Sequence, residues 1–497
     1  MKRKNYCRFA VLVAIWIFIS AIEIAGQAVV PRFEPSDCPV PVPAFEKNVQ
    51  CGYVVVAENR TVKNDKTIRL PVIILKSLNP NPKPDPVLRT LGGPGVSSLR
   101  MIRGRYSSPW LKDRDQIIFE QRGTKYAQPT LECPEVDKSN IDAAIRHLDA
   151  KAARANEFRA AKICHERLTS GGIDLSAYNS HESAADIEDV RRVLKVDKLN
   201  LYGVSYSSRL MLEVMRDFPL GIRSAVLEST LAPDVNYDEI GVDAYVRVFT
   251  LLFANCKADT ECAAAYPGLE SEFYASVSRL NNEPIIEKVK DAKLTDSVDV
   301  YLNGNDFVTW IADSLLSQDG LTIADTPLVI HDVFSRNYDA FRRSASNKLG
   351  PDGNSWGMRY SVWCSEEFPF ERRKSIDAQS TKYEGLRGYE IMSLPDTCSV
   401  WRVPPAKPIE NKSVTSNIPA FVITADYDAY TPPAWGESVA KNLKNSFVIQ
   451  IPWAGHGPAF TTPCLRDLIA DFLNDPNVVP KSDCLEKTRR QFKFVSK

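Results

Sequence analysis

Several features that would identify the chemistry at once are missing from this 497-residue chain. It has no excess of charge, since 62 Lys and Arg offset 62 Asp and Glu and the pI is near 7.0. A nucleic-acid backbone is met by concentrated positive charge, so that partner class finds no support. No C-x-x-C pair occurs among the eleven cysteines, which argues against a zinc site. No glycine-rich stretch ends in Gly-Lys-Ser/Thr, so a phosphate loop is excluded. The apolar run Phe9–Ile22, broken by Ser20, has fourteen residues, too few to span a bilayer comfortably. Histidines number only five, and there is neither an internal repeat nor a low-complexity tract. What remains is a globular composition, 44% hydrophobic and 25% charged. The chain is long enough for one core carrying a large insertion.

The basic residues Lys2, Arg3, Lys4 and Arg8 precede the apolar run, and Gly26-Gln27-Ala28 follows it. This is the pattern of a signal peptide over 1–28, cleaved near Ala28, and it predicts a secreted or periplasmic protein with no membrane attachment after cleavage. An uncleaved anchor is the alternative. Cys7 goes with the signal and leaves ten cysteines, an even number suited to an oxidising compartment. Their spacings suggest pairs between sequence neighbours: Cys38–Cys51, Cys133–Cys164, Cys256–Cys262, Cys364–Cys398 and Cys464–Cys484.

Strand-like runs at Gly52–Ala57, Arg69–Lys76, Val87–Leu91, Asp115–Glu120, Leu199–Val204 and Ser224–Glu228 alternate further along with helical runs at Ile141–Leu168, Ser183–Val196 and Ser208–Phe218. Such alternation predicts an α/β fold with a mostly parallel central sheet and flanking helices. From about Leu231 the character changes to helical runs, Tyr237–Cys256, Phe307–Ser317 and Pro327–Ser344, with few clear strands. Strand character returns at Ile418–Ala425 and Ser446–Ile451, followed by a helix at Leu465–Leu473. The expected organisation is a first part of the core over 29–234, a mostly helical cap insertion over 235–410, and the rest of the core over 411–497.

The stretch Leu199–Arg209 organises the chemistry. A strand ends in Gly203-Val204-Ser205-Tyr206-Ser207 and a helix begins at once, which resembles the nucleophile elbow of α/β-hydrolases. Position 207 is serine where the usual pattern has glycine. A hydroxyl needs a base, and His456 is the histidine in a loop directly after a strand, in Trp453-Ala454-Gly455-His456-Gly457-Pro458. Asp428 follows the strand ending at Ala425 and suits the imidazole's acid partner, with Asp426 as the alternative. The order Ser205, Asp428, His456 is that of α/β-hydrolases. The loop Leu91-Gly92-Gly93-Pro94-Gly95 after another strand suits an oxyanion loop, in which the Gly93 N–H meets developing charge.

Gly92-Gly93-Pro94-Gly95, Phe119-Glu120-Gln121-Arg122-Gly123-Thr124, Gly203-Val204-Ser205-Tyr206, Asp428-Ala429-Tyr430-Thr431-Pro432-Pro433 and Gly455-His456-Gly457 together resemble the secreted tripeptidyl aminopeptidase and prolyl aminopeptidase group of α/β-hydrolases. The match runs from about Cys51 to Cys484. The resemblance implies a serine exopeptidase acting on peptides with free N-termini, without cofactor or metal, and an oxyanion hole formed by the Gly93 and Tyr206 N–H groups. Leu91, Glu120 and Ser207 depart from the group's usual residues. Recognition of a substrate ammonium calls for a carboxylate. The block Ser361-Val362-Trp363-Cys364-Ser365-Glu366-Glu367 resembles one carrying an acid after its cysteine, and this points to Glu366 and Glu367. A carboxylesterase on the same fold and a catalytically silent binding protein are the rival readings.

Overall fold

The computed structural model describes residues 30–43, 48–103, 108–290, 297–316, 321–350, 353–387, 389 and 395–495. The expected signal segment, 1–28, lies outside them. Among the described residues no helix is long and apolar enough to cross a membrane.

Eleven strands are described: β1 (Arg32–Pro35), β2 (Val49–Ala57), β3 (Thr67–Leu75), β4 (Val87–Thr90), β5 (Gln116–Phe119), β6 (Leu199–Val204), β7 (Ile222–Glu228), β8 (Ile285–Lys290), β9 (Ser297–Leu302), β10 (Ala420–Ala425) and β11 (Ser446–Ile451). Nine of them form one sheet in the order β1-β2-β3-β5-β4-β6-β7-β10-β11. The contacts among β1, β2, β3 and β5 are antiparallel. From β5 to β11 every neighbour is parallel. The parallel strands β4, β6 and β10 are buried along their whole length, as strands covered on both faces must be. This is the mostly parallel, helix-flanked sheet of an α/β-hydrolase.

The chain leaves β4 towards β5 on one side and returns to β6 on the other. At such a reversal the loops after the two strands separate and open a crevice at their carboxyl ends. The loops in question are Leu91–Ser97 and the turn at Ser205. Site geometry is therefore set by sheet topology before any side chain is considered.

Between β7 and β10 lie mostly helices, among them Gly241–Ala258, Leu269–Asn282, Gly304–Leu315 and Thr326–Phe334, packed around a separate apolar core that includes Phe249, Phe273, Phe307 and Ile311. The antiparallel hairpin β8–β9 belongs to this segment. Its strands are mostly exposed or half-buried, with buried side chains at Ile285, Val300 and Leu302. The helix Trp356–Glu366 behaves differently. Met358, Tyr360, Val362 and Trp363 join the core of the main sheet, together with Cys398 and Trp401.

Two helical runs are broken where continuous helices are expected. Ile141–Leu168 is split into Pro134–Arg146 and Ala150–Ser170, because His147 turns left-handed (φ 56°) and Asp149 caps the second helix through the Ala152 N–H. Pro327–Ser344 is split after Phe334, near Arg336 at φ 65°. All five expected disulfides are present: Cys38–Cys51, Cys133–Cys164, Cys256–Cys262, Cys364–Cys398 and Cys464–Cys484.

Candidate active site

Ser205 sits between β6 and the helix Tyr206–Asp217 with φ 62° and ψ −133°. A side-chain-bearing residue at positive φ is strained and persists only where its surroundings over-determine it. Those surroundings are visible. A Cβ on Gly203 would lie 2.4 Å from the Ser207 carbonyl oxygen, so strand and helix can cross only at glycine. Ser207 accounts for the departure from the usual pattern. Its buried Oγ accepts from the Val204 N–H at 2.7 Å and faces the Thr90 and Val204 carbonyls at 2.9 and 2.8 Å. The extra hydroxyl stitches the elbow to the end of β4 instead of crowding it.

The loop after β4 lies flat on the elbow. A Cβ on Gly92 would meet Ser205 Cβ and Tyr206 N at 2.8 Å. Gly93 has φ 112°, a conformation that side-chain-bearing residues rarely adopt. The Glu120-Gln121-Arg122 block lies beneath this loop. Glu120 accepts from Ser98 N and Ser97 Oγ, and Gln121 Nε2 donates to the Leu91 carbonyl at 2.6 Å. Arg122 instead reaches away and grips Asp186 through two 2.7 Å bonds. The motif is thus support for the loop. Its residue types were readable in the sequence, but their direction was not.

His456 Nδ1 lies 2.9 and 3.0 Å from the two oxygens of Asp428. Asp428 is fully buried. Its Oδ1 accepts from the Tyr430 and Thr431 N–H groups, and Oδ2 from Thr431 Oγ1 at 2.7 Å. Burial alone would raise this carboxyl. The His456 charge, its hydrogen bond and the Thr431 donors outweigh that and hold it below the ordinary aspartate value. Asp426, the alternative acid, turns towards Gln450 Nε2 and Trp453 N, away from the imidazole.

Ser205 and His456 hang from adjacent residues at the tip of β7. The Ser205 N–H donates to the Glu228 carbonyl at 3.0 Å. The Gly457 N–H donates to Ser229 Oγ at 2.9 Å, and the Ala459 N–H to Glu228 Oε1 at 2.6 Å. Among the described residues Ser205 Oγ makes no hydrogen bond to His456.

Glu366 and Glu367 are both engaged internally. Glu366 takes the N–H and the Oγ of Ser180 at 2.6 Å each. Glu367 pairs with Arg209 and accepts from Tyr237 N. Burial raises both carboxyls against the pull of Arg209, Glu367 to about 7. The neighbouring acids Asp238 and Glu371 carry a different signal. They share a hydrogen bond, Asp238 also accepts from Trp363 Nε1 at 3.0 Å, and Glu371 Oε1 is buried without a partner. Burial, then the Asp238 charge, push Glu371 up to about 9. An unpartnered buried carboxylate oxygen was not detectable from sequence.

Thr431 is a further residue that sequence reasoning left without a role. Its hydroxyl ties the acid to the imidazole, with Oγ1 also 3.2 Å from His456 Nδ1. Loss of a hydrogen bond to a charged group costs about 1.5–3 kcal/mol. Thr431→Val is therefore expected to lower kcat roughly 10- to 100-fold with KM little changed. An unchanged kcat would remove Thr431 from the site.

A family model described as TAP-like protein matches residues 386–484, the segment that carries Asp428 and His456. The serine protease Hip1 of Mycobacterium tuberculosis is 24% identical over 400 residues, covering 72% of each chain. A tripeptidyl aminopeptidase of Streptomyces lividans is 22% identical over 458 residues, covering 86% of this chain and 82% of its own. Among solved structures, a proline iminopeptidase from Mycobacterium smegmatis aligns at 13% identity and TM-score 0.40, covering 82% of this chain and 96% of that one. The chain thus combines the sheet of an α/β-hydrolase with a TAP-like C-terminal segment, and over 72–86% of its length it is similar to serine peptidases.

Proposed function

We propose that the chain is an exported aminopeptidase that cuts peptides bearing a free N-terminus through a Ser205–His456–Asp428 triad. The observation that carries this reading is the suspension of the elbow serine and the Asp428-paired histidine from one strand tip, beside a glycine loop. In the proposed reaction His456 Nε2 takes the Ser205 proton as Oγ attacks the scissile carbonyl carbon. The Gly93 and Tyr206 N–H groups receive the oxyanion. His456 then gives its proton to the leaving amine, and an acyl group remains on Ser205. Water, deprotonated by the same imidazole, attacks the ester and releases the acyl product and the serine. The five disulfides support export.

For the substrate ammonium, Asp238 and Glu371 are the best-suited groups, with Glu367 adding negative charge nearby. Two carboxyls sharing one proton carry one net negative charge, which a single ammonium neutralises. This pair connects to the glycine loop through Trp363 and Arg359, whose guanidinium lies 4.8 Å from the Trp363 ring centroid. Glu366 and Glu367, the anchors suggested by sequence, are better suited to holding this region in place.

Comparing an aminoacyl amide with its N-acetylated form tests the reading, and mass spectrometry of a peptide ladder gives the step length. Free-amine substrates should be turned over and acetylated ones should not. Equal turnover of both would favour the carboxylesterase reading. The double variant Asp238→Asn, Glu371→Gln is expected to raise KM for free-amine substrates roughly tenfold or more, the value of one charged hydrogen bond, with a small acyl ester unaffected. An unaltered KM would move amine recognition elsewhere.

A further inference from the structure

The helix Trp356–Glu366 lies within the sequence of the insertion, yet it touches both sides of the oxyanion site. At its start, Ser355 N donates to the Gly95 carbonyl at 2.9 Å and Arg359 Nη1 donates to the Gly93 carbonyl at 2.7 Å. Val96 and Asn354 form a β-bridge beside them. At its end, Glu366 accepts from the N–H and Oγ of Ser180, and Ser180 Oγ lies 2.7 Å from the Tyr206 hydroxyl. The Ser180 hydroxyl has one proton and gives it to the carboxylate, so the Tyr206 phenol donates to Ser180 Oγ. One rigid element thus grips the loop of Gly93 and the side chain of Tyr206.

We infer that this helix is a brace of the oxyanion hole, with Arg359 positioning Gly93 and Glu366 positioning Tyr206 through Ser180. The inference rests on the assignment of those two N–H groups to the hole. The need for a brace follows from the loop itself. Gly93 and Gly95 sit at φ 112° and 99°, and glycine backbones hold such conformations only as firmly as their contacts dictate. A Cβ on Gly95 would come within 2.7 Å of the Ser355 carbonyl oxygen, so loop and helix start are in close contact.

The brace is itself fixed. Cys364 is bonded to Cys398, Trp401 Nε1 donates to Ser361 Oγ at 2.9 Å, and Gly357 N donates to the Leu131 carbonyl at 2.9 Å. A Cβ on Gly357 would lie 2.6 Å from that carbonyl oxygen. A donor aimed at developing charge is useful only if held before the reaction, and a helix locked into the main core does that. This part of the insertion therefore belongs to the catalytic frame rather than to a movable lid.

The test uses the full mature chain, a small p-nitrophenyl acyl ester that needs no amine recognition, and a fluorophosphonate probe. The variants are Arg359→Met, Arg359→Lys, Tyr206→Phe and Glu366→Gln. Removing one oxyanion donor outright costs about 10²–10³-fold in kcat, and a misaimed donor costs less. Arg359→Met and Tyr206→Phe should each lower kcat and the labelling rate roughly 10- to 100-fold. KM should stay within about twofold and the acid limb of the pH–rate profile should not move. Arg359→Lys, which restores a donor, should recover most of the loss seen with Arg359→Met. Tyr206→Phe and Glu366→Gln act on one chain of contacts, so their double variant should be no worse than the poorer single one. Wild-type kcat in Arg359→Met and Tyr206→Phe overturns the inference, as does a loss confined to KM or a loss that lysine at 359 fails to restore. A wild-type chain that neither cleaves the ester nor takes the probe would instead overturn the proposed function, and the brace with it.

Discussion

Ser205→Ala is expected to lower kcat about 10⁶-fold and to abolish labelling by a fluorophosphonate, while the protein remains folded. The size follows from the chemistry. Without Oγ there is no acyl-enzyme, and only binding and the oxyanion donors are left, which sustain about 10³–10⁴-fold over water. Retention of the fold follows from the contacts. The Ser205 backbone makes the bond to Glu228, and its carbonyl accepts from Ser208 Oγ at 2.6 Å. Alanine keeps both. The strained φ of 62° persists in the variant because Gly92 and Gly203 still press the turn from either side. Intact-mass spectrometry after probe treatment reads the result directly. A labelled Ser205→Ala protein would mean that another nucleophile reacts and that the elbow reading is wrong. An unlabelled native protein would favour the silent binding protein.

The parts of the site that could be read from sequence are those whose signal is local. A glycine and a serine at the end of the apolar run Leu199–Val204 announce the elbow because strand, turn and helix are contiguous. Asp428 and His456 were readable because each directly follows a strand. The five cysteine pairs were readable because each joins neighbours in sequence. What escaped depends on distant partners. Nothing local says that Glu366 faces Ser180, 186 residues away, or that Glu367 faces Arg209. An acidic pair beside a cysteine therefore looked available for an ammonium when both groups were occupied. The hairpin β8–β9 was missed because Ile285–Lys290 reads Ile-Ile-Glu-Lys-Val-Lys, with its single buried side chain at Ile285. Likewise, the departure from glycine at 207 had no visible reason in the sequence, because the Oγ partners at Thr90 and Val204 come together only in the fold.

The second large effect is expected from Asp428→Asn, about 10⁴-fold in kcat with little change in KM. The contacts of the carboxylate dictate how an amide must sit. Oδ1 accepts two backbone N–H bonds, from Tyr430 at 2.9 Å and Thr431 at 2.8 Å. The asparagine carbonyl oxygen has to take that position, because an NH₂ group there would face two donors. Its NH₂ group then occupies the Oδ2 position, 2.9 Å from His456 Nδ1. A donor at that point makes Nδ1 the acceptor and moves the ring proton to Nε2, where the base needs a lone pair. The histidine stays in place with the wrong tautomer. The same substitution has a stability signature with a definite sign. The folded carboxyl titrates below its ordinary value of 3.8, so in the native protein it stabilises above that pH and loses the contribution as pH falls through the folded value. Asp428→Asn should lack that acid-side step in an unfolding midpoint followed against pH. Asp426→Asn is the control, and its kcat should change by no more than a few-fold, because Asp426 serves Gln450 and Trp453. If Asp426→Asn were the inactive protein and Asp428→Asn the active one, the imidazole would have a different acid partner during turnover, and the triad would have to be redrawn around it.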